Sequence, residues 1–112
     1  MSVISPDNVY REYLTAGEDW ADKRGAADLL EGTLKSLKAQ YFLEAKHAES
    51  CSVAEAESIA LSCGEYRDAM KIAVEARTEA NKAHVRYTAT QALFEARRTA
   101  EASERAAMRA AT

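Results

Sequence analysis

A chain of 112 residues holds about one domain's worth of polymer and one modest core. Its net charge of −3 argues against a dedicated DNA binder, which is usually basic, and its two cysteines and two histidines include no CxxC and so give a zinc site little support. Roughly a fifth of the residues are alanine, far above average usage, which favours helix but contributes little buried area.

"SPDNVYREYL" opens the first predicted element, a short helix over 5–16. Ser5 is its N-cap, Pro6 takes the first helical position, and Asp7 faces the positive end of the dipole. Gly17 is expected to break or bend the chain. A long helix follows over 18–48. There Tyr13, Trp20, Ala27, Leu34, Tyr41 and Ala48 recur every seventh residue, and Ala16, Lys23, Leu30, Leu37 and Glu44 fill the interleaved places. Such a repeat implies left-handed helix pairing, with Lys23 and Glu44 as its two failures. Gly25 and Gly32 share one stripe of this helix and point to a close helix approach there.

"AESCSVAE" interrupts the pattern. Ser52 with Glu55 makes a capping box, and Ser62 with Glu65 makes a second. A short helix over 53–61 is therefore predicted between the long ones, covering the end of the core with Val53, Ala56, Ile59 and Ala60. Cys51 and Cys63 flank it. They are read as free thiols of a reducing cytosol, with a disulfide between them as the alternative. No proline or glycine follows Gly64, so a last helix is predicted over 64–108. One stripe on it reads Ala69, Ala73, Ala76, Ala80, Ala83, Tyr87, Thr90, Phe94, and a second reads Val85, Ala89, Ala92, Ala96, Ala100. One would face the first long helix and the other a second chain. The predicted last helix outruns the 18–48 helix, and its end, lacking large apolar residues, is expected to fray or to order only with a partner.

"KAHVRYTATQALFEARR" (82–98) mixes bases with aromatics, as nucleic-acid binders do. Laid on a helix, Tyr87 and Phe94 share a face, with Leu93 beside them, while Lys82, Arg86 and Arg97 lie elsewhere. Stacking on bases needs the two interleaved on one surface. Core aromatics with a solvated basic stripe are therefore favoured, although such a stripe can still touch phosphates. His84 has no clustered ligand and reads as a partly exposed helix residue. Glu75 and Glu79, four apart, would suit a metal clamp, but no E-x-x-H accompanies them and a solvated face is preferred. No nucleophile elbow, phosphate loop or H-E-x-x-H motif is present.

The last third, "ARTEANKAHVRYTATQALFEARRTAEASERAAMR", resembles small helical proteins encoded by tailed bacteriophages, through its "VRY…FEARRTAE" spacing. The resemblance implies an accessory role in replication and recombination or in modulating a host system. No catalytic residue carries over with it.

The expectation is a single all-α domain over 1–112: a long antiparallel helical hairpin or coiled-coil-like bundle with a short N-terminal and a short connecting helix. Its seam is expected to hold Trp20, Leu30, Leu34, Leu37, Tyr41, Tyr87, Leu93 and Phe94. It reads as a non-enzymatic interaction or adaptor protein without cofactor or metal. It would be a homo-oligomer, a dimer before any larger form, that meets a protein partner through Arg86, Arg97, Arg98, Arg105 and Arg109. The alternative is an auxiliary nucleic-acid binder using the same basic stripe. "MSVISPDNVYREYL" has no signal-peptide pattern and no apolar run spans a membrane, so a cytoplasmic location is expected, that of the bacterial host under the phage resemblance.

Overall fold

The computed structural model describes residues 6–49 and 51–111. They form three helices, α1 (Pro6–Glu49), α2 (Val53–Ser62) and α3 (Gly64–Ala111), and among the described residues there is no strand. The fold is all-α: α1 and α3 pack against each other as a helical hairpin closed by the short α2. Partners on α3 fall in number as those on α1 rise, which makes the pairing antiparallel. Tyr10 meets Phe94 and Trp20 meets His84, and Glu31 meets Arg77 and Tyr41 meets Glu65.

Two compact units divide the chain. One takes the chain up to Asp22 with the stretch from Asn81 onward, and it is held by stacked rings and by the buried Val9 and Ala83. The other is Lys23–Ala80, in which Ala27, Ala45, Ala56, Ala60, Tyr66, Ala73 and Ala80 are buried. Alanine lets helix axes approach closely but supplies little apolar area, on the order of 0.8 kcal/mol per buried methyl-sized group. Large side chains at the seam, Leu30, Leu34, Leu37 and Tyr41, are half-buried.

Several expectations need correction. The break at Gly17 is absent: the short first helix and the long second one are a single element of 44 residues. Ser5, the expected cap, lies outside the described residues. Near-equal length does not remove the predicted overhang of α3: Tyr10, four residues from the start of α1, meets Phe94, and α3 runs on seventeen residues past Phe94 to Ala111. Helix also continues to Ala111, where fraying or ordering only with a partner was expected, with residues 102–111 exposed. The strong helix propensity of an alanine-rich end accounts for that. Gly25 and Gly32 are not at a close approach within the chain; a Cβ at either meets nothing within 4 Å. The seven-residue stripe also drifts. After Tyr41 the buried place passes to Ala45, and Ala48 is exposed, as expected when 3.6 residues per turn carries every seventh residue about 20° around the helix.

The connection follows its caps. Ser52 accepts a hydrogen bond from the Glu55 backbone N–H at 3.2 Å, the main arm of the predicted box. The second box does not form. Ser62 ends α2 and donates instead to the Ile59 carbonyl, while the Cys63 carbonyl accepts from the Arg67 N–H at the start of α3. Cys51 and Cys63 are free, half-buried thiols. The ten residues of α2 hold them about 15 Å or more apart, beyond the roughly 7 Å Cα separation that a disulfide spans.

Candidate functional site

The unit containing residues 81–111 carries both groups that the sequence singled out. Tyr87 is half-buried on the seam, stacked on Tyr13 with ring centroids 5.3 Å apart and on Trp20 at 5.1 Å. Phe94 stacks on Tyr13 at 5.3 Å and tilts against Tyr10 at 5.8 Å. His84 tilts over Trp20 at 4.5 Å, so it is an aromatic contact rather than a bare surface residue. The rings form a continuous ladder from α1 to α3, with each pair at the separation where ring quadrupoles attract.

Gly17 makes room for this ladder. A Cβ there would sit 3.2 Å from Cε2 of Tyr87, so the glycine lets the ring lie on the α1 backbone. The phenol oxygens of Tyr13 and Tyr87 are 3.2 Å apart and share a hydrogen bond. That bond raises the Tyr13 pKa, with burial and the charges of Tyr87 and Glu95 adding to it and a bond from Gln91 opposing it. Together Tyr10, Tyr13, Leu14, Gly17, Glu18, Ala21 and Tyr87 line an open groove.

The arginines stand outside the ladder. Arg86, Arg98, Arg105 and Arg109 are exposed and Arg97 is half-buried. Separation of bases from aromatics is incomplete, however. The Arg98 guanidinium lies 5.9 Å from the centroid of Phe94, within cation–π range. The basic surface is also interrupted: Glu95 and Glu101 join Arg98, Thr99, Ala102 and Arg105 around a second open groove. Leu93 is not on the seam but 42% exposed, because it sits one residue, about 100°, around the helix from Phe94. The second predicted stripe, Val85, Ala89, Ala92, Ala96 and Ala100, is exposed along its length.

In the Lys23–Ala80 unit the strongest polar feature was not legible beforehand. Arg77 of α3 grips two carboxylates of α1, with Nε 3.0 Å from Glu31 Oε1 and Nη2 2.5 Å from both Glu31 Oε2 and Asp28 Oδ1. The fork holds the Glu31 carboxyl below its ordinary pKa and raises that of Arg77. Asp28 and Glu31 are three apart on one helix face, a spacing that presents both to one guanidinium, but the sequence did not say which arginine would face them. Tyr41 donates to the Glu65 carboxylate, and that bond, helped by burial, pushes its pKa up.

Among the described residues no three His, Cys, Asp or Glu side chains converge as a metal site requires, Glu75 and Glu79 are exposed, and no buried side-chain polar atom lacks a partner. No helix among them is long and apolar enough to cross a membrane. Comparison with known protein families, curated proteins and solved structures finds no match to this chain.

Proposed function

We propose that this chain is a non-enzymatic helical interaction protein that works as a homo-oligomer, a dimer in its simplest form, and presents an exposed helix surface to another protein. The observation that carries this reading is the large apolar side chains left in water: Leu29, Val85 and Met108 are 72%, 67% and 71% exposed in a protein whose buried core is mostly alanine. Such side chains are what a helix offers to a partner.

For the partner surface the reading takes Arg86, Arg97, Arg98, Arg105 and Arg109. Glu95 and Glu101 interleave with them, and such mixed charge suits a protein surface better than a phosphate backbone. The likeness of the last third to small helical phage proteins adds a setting: an accessory factor acting on phage or host machinery in the bacterial cytoplasm. A second reading, auxiliary nucleic-acid binding, is favoured by one contact, the Arg98 guanidinium over the Phe94 ring.

One pair of measurements tests both. Affinity capture from a bacterial lysate with the wild type and with Arg86→Glu/Arg98→Glu/Arg105→Glu is expected to show a protein retained stoichiometrically by the first and lost by the second. Retention of nothing that distinguishes the two overturns the adaptor reading. Titration with labelled DNA and RNA at low salt is expected to show no binding. Binding that falls steeply with salt and vanishes in the triple variant would promote the second reading.

A further inference from the structure

The groove beside Gly17 lies within one unit of the chain and has a volume of about 380 Å³. That is near the small end of ligand sites, roughly 300–1,000 Å³, so it admits a side chain rather than a helix. Three kinds of surface line it. Tyr10, Tyr13 and Tyr87 bring aromatic rings, Leu14 and Ala21 bring aliphatic surface, and Glu18 brings a carboxylate. Tyr10, Leu14 and Glu18 are open to solvent. Glu18 is the single charged residue among the described residues of the lining. Glu95 adds a second negative charge, whose field reaches the Tyr13 hydroxyl. At Phe94 the same ladder of rings already holds a cation, for the Arg98 guanidinium lies 5.9 Å from that ring's centroid. Arg98 lines the other groove, beside Glu95 and Glu101, and not this one. The groove at Gly17 thus has the rings and the carboxylate but no base of its own.

We propose that this groove is a docking site for an arginine side chain of a partner polypeptide. The sign of the charge follows from the lining: a carboxylate and ring quadrupoles both attract a cation, and an anion would be repelled by Glu18 and Glu95. The choice of arginine follows from shape. Its planar guanidinium stacks on a tyrosine ring while its N–H fork meets a carboxylate, and its apolar stem can cover Leu14 and Ala21. A lysine ammonium is a more strongly hydrated point charge and uses the rings less well. Gly17 adds no side chain to fill the space. The site takes a base, whereas the exposed arginines of α3 offer bases, so it depends neither on them nor on self-association.

Amide NMR shifts of the full chain, followed during titration with an acetylated and amidated Gly-Arg-Gly tripeptide, test it. Binding is expected to be weak, in the millimolar range, with the perturbations centred on residues 10–21 and on Tyr87. The same peptide with citrulline in place of arginine keeps the shape and removes the charge, and is expected to bind about threefold or more weakly. Glu18→Gln is expected to weaken the arginine peptide to a similar degree, about threefold, the size of one exposed charge pair. Glu12→Gln removes an exposed carboxylate that does not line the groove and should leave binding unchanged. Both substitutions are at exposed positions, and circular dichroism checks that helicity is kept. Equal binding of the arginine and citrulline peptides, or an equal loss in Glu12→Gln and Glu18→Gln, overturns the recognition of a cation by this groove. Perturbations that are absent, or centred away from residues 10–21, overturn the site itself.

Discussion

Tyr87 is the side chain on which the most contacts of its unit converge. It stacks on Tyr13 and Trp20, bonds the Tyr13 hydroxyl, and lies on the backbone at Gly17. A methyl at residue 17 would stand 3.2 Å from the ring, so either the ring or the helix must yield. The ring is held from two sides and cannot yield cheaply. Gly17→Ala is therefore expected to destabilise the fold by about 1 kcal/mol, although alanine is by roughly the same amount the better helix former. In a Tyr87→Ala background the clash is gone and only the helix preference remains, so the same change becomes stabilising. Urea unfolding of the four proteins of this cycle reads the reversal of sign; a Gly17→Ala that stabilises both backgrounds would show that the ring does not need the glycine.

At the scale of the helices, the caps and breakers located α2 and α3 well, since Ser52 with Glu55 and the shortage of glycine and proline are local signals. Gly17 misled because its purpose is tertiary: the ring that needs its space comes from a residue seventy positions later. Gly25 and Gly32 misled in the opposite way, for the close approach that the sequence suggested there is not made: a Cβ at either meets nothing within 4 Å. Which heptad positions are buried depends on supercoil, so Ala45 replaced Ala48 without any change in pattern. The Arg77 fork was invisible for a similar reason, as it depends on the register between α1 and α3. It has a consequence for pH. Glu31 has its carboxyl pKa lowered by Arg77, so its contribution is complete above the ordinary carboxyl value and is lost as pH falls through the lowered one. Arg77→Gln should therefore lower the thermal midpoint most at about pH 6 and less at a pH low enough to protonate the Glu31 carboxyl. Because the pair is partly exposed, added salt should narrow the gap as well. A gap unchanged between the two pH values would mean that the guanidinium acts through packing and not through charge.

For the whole molecule, the balance of buried and exposed surface decides more than any single contact. A seam of alanines with half-buried leucines leaves much apolar area in water, and the end of α3, which runs past the start of α1, adds to it with Met108 71% exposed. If a second copy supplies the missing burial, folding and association are one equilibrium, and stability must depend on concentration. The thermal midpoint is then expected to rise by about 2–5 °C for each tenfold increase in protein, a shift of the size that mass action gives a domain of this length. Association through exposed apolar side chains should survive about 1 M salt and leave that dependence intact, whereas association through the arginine surface would be screened. Melting curves at three concentrations and two salt levels separate the cases. A midpoint independent of concentration identifies a monomer that is stable on its own alanine seam, and a dependence that disappears in salt places the contact at the basic end of α3.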